Sequence, residues 1–358
     1  MMLARFRIGA AVAAAVLSAS AAVAQDKVAY GTASRVGLAN AALFMAEVMG
    51  FFREENIELQ TVQFDGTGVL LPQIANKSIT VGYPIPDPLI LSHDTGKTPL
   101  PIKFFYNVNH SYNWEIVVPA ASPIKTIPDL KGKTIGVIAL SVGNVPVTRS
   151  ILREAGLKPG DDVQLVAVGQ GPATINTFTS GRIDALNLFD VVHSQMEADG
   201  IAIRRVPLPE KYRQLSGNSF AAHVDTFRDN PDLLKRFGRA YTKGLVACDA
   251  NPEGCVRAMW KLHPSSRPTS GDEGKIIADS VRILQANMRN KVPEAGSGAP
   301  AYGRFDERNW KTSLEILGDN GMLQNRDVDL SKLYTNEFVP AFGEFDRAAV
   351  VARAKAFK

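Results

Sequence analysis

The sequence predicts a two-lobed α/β protein, with two doubly wound sheets joined by a hinge and a cover of C-terminal helices. Its 358 residues are 45% hydrophobic and 21% charged, which is enough apolar material for real cores, and chains of this length usually divide into two of them. A strand-loop-helix pattern occurs twice in the first part of the chain, and helical patterns dominate the rest. Alternating strands and helices favour sheets that are mainly parallel.

The N-terminal segment has the pattern of a secretory signal peptide. Arg5 and Arg7 give a positive start, Ile8–Leu17 is apolar, and Ala22-Val23-Ala24 is a small-residue cleavage site. A membrane anchor needs about 20 apolar residues, more than this stretch supplies. We therefore predict cleavage after Ala24 and export of the remaining chain.

The two strand-helix units are related copies. An offset of 106 residues aligns Lys27–Thr32 with Lys133–Ile138 and places Gly50 on Gly156. Both glycines follow helix-forming stretches, at the position where a left-handed residue ends a helix. Two related units in tandem predict two lobes of similar design.

The remaining segments predict how the lobes connect. Trp114–Val118 is a strand-like stretch followed by prolines, which suits a crossover, and a return is expected near Pro207–Val224. Asn-Pro starts at 230–231 and 251–252 open helices that pack on the first lobe. The predicted division is 1–24 signal peptide, 25–118 with 218–358 as lobe 1, and 119–217 as lobe 2.

The only two cysteines predict a structural disulfide. Cys248 and Cys255 flank a turn between two predicted helices, and an exported protein meets an oxidising compartment. The alternative is two buried thiols. Because the loop is short, the bond would contribute about 2 to 3 kcal/mol at most.

Loops that follow the strands are the candidate ligand site, because open α/β sheets bind ligands outside the carboxyl ends of their strands. The loop 32–39 and its equivalent 139–144 lead into helices whose unpaired N–H groups suit an anion. Residues 66–68 could supply a third loop of the first lobe, and the polar and aromatic segment 107–114 lies just before the crossover. Each candidate has a plain alternative: Ser34, Ser141 and Asn144 only cap helices, 66–68 is an ordinary turn, and 107–114 is ordered loop packing. Asp87 and Asp190 have the sequence setting of helix caps.

We predict ligand contacts at the positions where these loops face one another. The candidates are Ser34, Arg35, Gly37, Leu38, Thr67, Gly68, Tyr83, Asn113, Trp114, Ser141, Gly143, Asn144, Asn187 and Phe189. Arg35 decides the expected charge, since its planar guanidinium suits a sulfonate, carboxylate or nitrate. If Arg35 faces the cleft, removing it should cost about 2 to 5 kcal/mol of binding; the alternative is a surface ion pair.

Other chemistries lack residues in this sequence. The five histidines are scattered without metal-ligand spacing, Ser141 is in no Gly-x-Ser-x-Gly elbow, and Gly169–Thr174 lacks the Lys-Ser/Thr ending of a phosphate loop. The 40 basic residues are nearly balanced by 36 acidic ones, and no run of basic residues is longer than two, so the sequence has no basic patch typical of nucleic-acid binding. We expect no enzyme activity, no cofactor, no metal and no nucleic-acid partner.

Four segments resemble a known family. Ala46–Leu59, Ile127–Val137, Ser180–Ala185, and Leu333–Pro340 with Phe345-Asp346 are similar, in this order, to periplasmic substrate-binding proteins of ABC importers, in the branch for sulfonates, taurine, nitrate and thiamine-pyrimidine precursors. One departure is Asn76–Thr80, where members usually carry Gly and Asp. A ligand role attached to that aspartate does not transfer.

The resemblance implies a type II periplasmic binding protein fold and a periplasmic, monomeric receptor. Such a receptor closes its lobes on a small-molecule ligand, expected to be an anion, and delivers it to an ABC permease in the inner membrane. The alternatives are a receptor for a neutral or cationic heteroaromatic such as a thiamine pyrimidine precursor, a ligand-sensing subunit of a signalling system, or a pyrimidine-synthesising enzyme. The enzyme alternative is disfavoured because this sequence lacks the cysteine-rich motif of the eukaryotic relatives.

Overall fold

The structure is a computed structural model that describes residues 24–269, 271–292 and 301–358. The predicted signal peptide, apart from Ala24, lies outside these ranges. The strands are β1 Asp26–Thr32, β2 Ile57–Gln63, β3 Val81–Tyr83, β4 Ile102–Tyr106, β5 Trp114–Pro119, β6 Lys133–Val137, β7 Val163–Ala167, β8 Ala185–Phe189, β9 Ile203–Val206 and β10 Phe220–His223.

Helices lie between the strands and fill the C-terminal part. They are α1 Ala41–Val48, α2 Phe51–Glu54, α3 Thr67–Ala75, α4 Asp87–Ser92, α5 Val145–Glu154, α6 Pro172–Thr179, α7 Asp190–Ala198, α8 Glu210–Arg213, α9 Val224–Asp229, α10 Pro231–Ala250, α11 Pro252–Leu262, α12 Glu273–Met288, α13 Glu307–Asp319, α14 Val339–Phe342 and α15 Arg347–Ala356.

The strands form two five-stranded sheets of the same topology. The order is β2-β1-β3-β10-β4 in the first sheet, which defines lobe 1, and β7-β6-β8-β5-β9 in the second, which defines lobe 2. In each sheet the first three strands are parallel and the fourth is antiparallel to its neighbours. This confirms the predicted two-lobed α/β fold, with mixed sheets.

The duplication is visible in the backbone as well as in the topology. Gly50 and Gly156 end equivalent helices with φ angles of 78° and 77°, the left-handed conformation that glycine adopts without a steric penalty. The sequence predicted both positions, because a helix end of this type depends on local backbone chemistry.

The predicted boundary between residues 118 and 119 is wrong. It falls inside β5, which pairs along its length with β8 and β9 of lobe 2. The chain crosses between lobes earlier, at residues 107–113, and returns at residues 207–219. These two segments run side by side, with the Gly217 N–H donating to the Asn109 carbonyl at 3.0 Å. Pairing with a strand far along the chain, rather than local sequence, assigns β5 to its lobe.

The C-terminal helices cover lobe 1 and also reach lobe 2. Asn230 and Asn251 cap α10 and α11 by accepting the N–H of residues 233 and 254, as their Asn-Pro starts predicted. However, α12 packs on α7 and α13 packs on α5. The Lys275 ammonium also donates to the Ala198 carbonyl of lobe 2 at 3.1 Å. Across the described residues, no helix has the length and hydrophobicity to cross a membrane.

Candidate functional site

The strand-end loops of the two lobes meet directly. The Gly68 N–H donates to the Ser141 carbonyl at 2.9 Å, and the Ser141 hydroxyl donates to the Asp65 carbonyl at 3.2 Å. Gly143 lies against Thr67 and Ile85 so closely that a Cβ atom there would be 1.8 Å from Ile85 Cγ2. Gly68, Ser141 and Gly143, all predicted ligand residues, therefore make the contact between the lobes.

A small cavity with both polar and apolar walls, called the cleft below, lies between these loops. It is lined by Ala33, Ser34, Ala39, Asn40, Thr67, Tyr83, Asn113, Trp114, Val142, Phe189 and Asn218. Its volume is about 20 Å³, room for about one water molecule. The candidates Ser34, Thr67, Tyr83, Asn113, Trp114 and Phe189 are on its wall, and their contact with a ligand stays a prediction.

Tyr83 is held at the wall by polar groups from distant parts of the chain. Asn109 donates its amide to the Tyr83 hydroxyl at 2.8 Å, and the Lys291 ammonium lies 3.3 Å from the same oxygen. Burial raises the pKa of the Tyr83 hydroxyl well above its usual range, so it stays protonated. Burial also lowers the pKa of Lys291 to about 8. Lys291 lies just beyond α12, and no local motif marked it.

Asp190 supports a second part of the cleft wall. Its carboxylate accepts an amide hydrogen bond from Asn113 at 3.2 Å and another from Asn287 at 3.2 Å. Burial raises the pKa of Asp190, while these two donors oppose the rise. Asn287 belongs to α12, so the C-terminal helices help to hold Asp190 and, through it, the cleft residue Asn113. The Trp114 and Phe189 rings pack edge to face at 5.5 Å beside it.

The predicted helix-cap role of Asp87 is not what the structure shows. The carboxyl lies at the start of α4 without a capping hydrogen bond to the backbone of the helix. Its Oδ1 is buried without a partner among the described residues. Burial raises the pKa of Asp87 to about 7, because removal from water penalises the charged form.

Asn144 and Asn187 lie inside lobe 2 and do not line the cleft. The Asn144 amide donates to Asn187 Oδ1 at 2.6 Å, Thr148 donates to the same oxygen at 2.7 Å, and the Asn187 amide donates to the Glu115 carbonyl at 3.0 Å. Both side chains are therefore engaged in joining α5, β8 and β5. Asn187, predicted as a cleft wall, and Asn144, predicted in the anion-binding loop 139–144, both belong to this internal hydrogen-bond network and not to the cleft lining.

In the loop 32–39, backbone N–H groups already donate hydrogen bonds within the protein, whereas the sequence predicted free donors for an anion. The N–H groups of Arg35 and Val36 donate to the side-chain carbonyls of Gln170 and Gln63, both at 2.9 Å, and that of Gly37 donates to Asn40 at 3.4 Å. Gln170 belongs to lobe 2, so this bond crosses between lobes. An anion on this loop must displace it.

A larger apolar depression, called the side groove below, adjoins the cleft. Its volume is about 790 Å³, and it shares Ala39 and Phe189 with the cleft. Arg35, Gly37 and Leu38 lie on its wall. Arg35 is exposed, and no carboxylate in the described ranges lies within ion-pair distance of it.

The structure also shows the geometry of the two cysteines and of the side chains that could bind a metal ion. Cys248 and Cys255 are fully buried and joined in a disulfide, with Cα atoms 5.0 Å apart. In the part of the chain that the structure describes, no three His, Cys, Asp or Glu side chains are grouped to hold a metal ion.

Two lobes of one topology, two crossing segments and a cleft between facing strand ends define a protein with the periplasmic binding protein fold. The chain belongs to the NMT1/THI5-like family, whose pattern matches residues 39–255. This confirms the family resemblance predicted from the four sequence segments.

Comparison with known proteins gives more distant likenesses. The chain is 23% identical over 246 residues to the riboflavin-binding protein RibY of Chloroflexus aurantiacus, a match covering 67% of this chain and 66% of that protein's length. The alkanesulfonate-binding protein SsuA of Xanthomonas axonopodis pv. citri, bound to MOPS, has 15% identity and a TM-score of 0.62, covering 87% of this chain and 100% of SsuA. The desulfurization enzyme DSZB has 18% identity and a TM-score of 0.55, covering 88% and 98%. The fold thus serves binding proteins and an enzyme.

Proposed function

We propose that this protein is a periplasmic solute receptor that captures a small organic anion between its lobes and delivers it to an ABC permease in the inner membrane. The main support is the cleft itself: loops of two duplicated lobes face each other and supply polar groups from both sides. The receptor acts as a monomer and catalyses no reaction. In the described ranges no serine, threonine or cysteine side chain hydrogen-bonds to a histidine ring.

Ligand capture follows from an equilibrium between separated and closed lobes. The cross-lobe hydrogen bonds at Ser141 and Gln170 stabilise the closed arrangement, and each such bond contributes about 1 kcal/mol net. A ligand that contacts both lobes binds the closed state more tightly and shifts the population towards it. The closed cleft holds about one water molecule, so the ligand enters when the lobes separate. The closed lobes then hold it through contacts at the cleft and in the adjoining side groove, which residues of both lobes line.

The charge of the ligand is argued from the cations near the cleft. Arg35 lies at the junction of cleft and side groove, and the Lys291 ammonium is one side chain behind Tyr83. The walls of the cleft carry neutral donors such as Ser34 and Asn218. The Asp190 carboxylate lies near Lys291 and offsets its charge. Arg35, together with the neutral donors, is therefore what favours a sulfonate, carboxylate or nitrate.

A second candidate is a neutral heteroaromatic ligand. The apolar walls of the side groove favour it, and the distant relative RibY is named for binding riboflavin. A thermal-shift screen of sulfonates, nitrate, carboxylates and pyrimidines separates the two, since a ligand at 100 times its Kd stabilises the protein by about 2.7 kcal/mol.

Arg35 then tests the charge of the ligand that the screen finds. Arg35 is exposed, so the loss expected for Arg35→Ala is about 1 kcal/mol rather than the larger value of a desolvated pair. Calorimetry on the wild type, Arg35→Lys and Arg35→Ala should show a graded loss of affinity. Equal affinity in all three proteins would favour the neutral ligand. If no compound of the screen changes the radius of gyration in small-angle scattering, the proposal of a closing receptor is contradicted.

A further inference from the structure

The side groove remains open while the lobes are in contact. It has three walls: the loop 35–39 of lobe 1, helices α6 and α7 of lobe 2, and the C-terminal segment around Trp260, Arg267 and Ser280. Its volume of about 790 Å³ falls in the range of about 300 to 1,000 Å³ that small-molecule sites occupy. The closed cleft, by contrast, is too small for an organic molecule.

The walls are apolar where they face the groove. Their main side chains are Ile175, Phe189, Val192, Met196, Ile201 and Trp260. Val192 and Met196 are one turn apart on α7 and share a face. Several of these side chains are only partly buried by the protein, so an apolar ligand body would remove further apolar surface from water.

The charges around the groove are arranged unevenly. Arg267 is already paired with Glu273 at 3.2 Å, and its guanidinium lies 5.5 Å from the Trp260 ring. Asp199, on the lobe 2 wall, accepts a hydrogen bond from Gln195 at 2.9 Å. Arg35 makes no ion pair with any residue in the described ranges. The cation without a carboxylate partner is therefore Arg35, which follows the cleft residue Ser34 in the chain and whose guanidinium lies beside Gly171 at the start of α6.

The geometry points to a ligand with an aromatic body and one anionic group, whose rings lie in the side groove against Trp260 and Phe189 while the anion lies beside Arg35. This assignment rests on the proposed receptor function and narrows its ligand class to aryl sulfonates or aryl carboxylates. An alkyl anion or nitrate would leave the groove unfilled. Flat rings suit walls that carry two aromatic side chains, because offset and edge-to-face contacts add to burial.

Three probes of matched chemistry test the assignment by calorimetry on the full exported protein: methanesulfonate, naphthalene-2-sulfonate and the uncharged naphthalene-2-sulfonamide. We expect the naphthalenesulfonate to bind at least tenfold more tightly than either of the others. Trp260→Ala and Ile175→Glu should each lower its affinity about tenfold and leave that of methanesulfonate unchanged. Leu262→Ala, which truncates an exposed side chain of the same helix outside the groove, is the control for Trp260→Ala. Ile175→Glu, on α6 of lobe 2, keeps the test available if the Trp260 variant does not fold.

The outcomes separate this inference from the proposed function. Equal affinity for both sulfonates, or an aryl affinity unchanged in both groove variants, would overturn the groove assignment while binding and lobe closure stand. Equal affinity for the sulfonamide and the sulfonate would remove the anionic group from the assignment. If neither sulfonate binds and no compound of the screen closes the lobes in small-angle scattering, the receptor function fails and this inference with it.

Discussion

Adding one methyl group at the lobe interface should prevent closure. Gly143→Ala places a carbon atom 1.8 Å from Ile85 Cγ2 and 2.8 Å from Thr67 Oγ1, whereas non-bonded carbons rest about 3.5 to 4.0 Å apart. Gly143 has no left-handed φ angle, so alanine fits the backbone of lobe 2. Ile85 is only 1% exposed and packed in the core, which leaves it little room to yield.

The magnitude follows from what closure would lose. Relieving the overlap requires the lobes to move apart by about 2 Å at this point, which breaks the hydrogen bond from Gly68 to Ser141. One or two such bonds at about 1 kcal/mol each, together with the 1 to 3 kcal/mol typical of overpacking, destabilise the closed state by about 2 to 5 kcal/mol. Ligand affinity should fall by a factor of about 30 to 5,000.

The assay combines small-angle scattering and calorimetry with a ligand found in the screen. The wild type should contract on saturation, and Gly143→Ala should contract less and bind more weakly. Gly343→Ala is the matched control, because a Cβ atom there meets nothing within 4 Å. Wild-type affinity and contraction in Gly143→Ala would refute the closing mechanism.

Three further predictions concern stability. Burial raises the pKa of Asp87 to about 7, so the folded state binds more protons than the unfolded state between about pH 4 and 7. The free energy of unfolding should therefore fall by as much as about 4 kcal/mol as the pH rises through that interval. Asp87→Asn should flatten this dependence in urea unfolding, and an unchanged slope would show that Asp87 does not cause it. Lys77 has a left-handed φ of 66° and an exposed ion pair with Asp225 at 2.5 Å. Lys77→Gly and Lys77→Ala both lose this pair, so the glycine variant should be about 1 kcal/mol more stable because only glycine adopts this φ without strain. Equal stabilities of the two variants would exclude backbone strain at this position. Unreduced mass spectrometry of exported protein should find Cys248 joined to Cys255, with a loss of about 2 to 3 kcal/mol in Cys248→Ser; two alkylatable thiols would contradict the bond.

Features that depend on local chemistry were determined by the sequence. Gly50 and Gly156 end helices because glycine tolerates the left-handed conformation, and Asn230 and Asn251 begin helices because their side chains accept backbone N–H groups. The two lobes followed from repetition of such local signals at a fixed offset. The same logic placed Ser34 at a strand-end loop.

Features that depend on distant partners were decided only by the tertiary structure. The antiparallel pairing of β5 with β8 moved Trp114–Pro119 into lobe 2, and the bond between Asn144 and Asn187 turned two candidate ligand residues into internal supports. Lys291 lies behind Tyr83 although 208 residues separate them. The side groove exists because C-terminal helices pack against both lobes. Periodicity and caps record a residue's immediate neighbours, while the cleft and the groove are made by contacts between segments whose meeting depends on the whole fold.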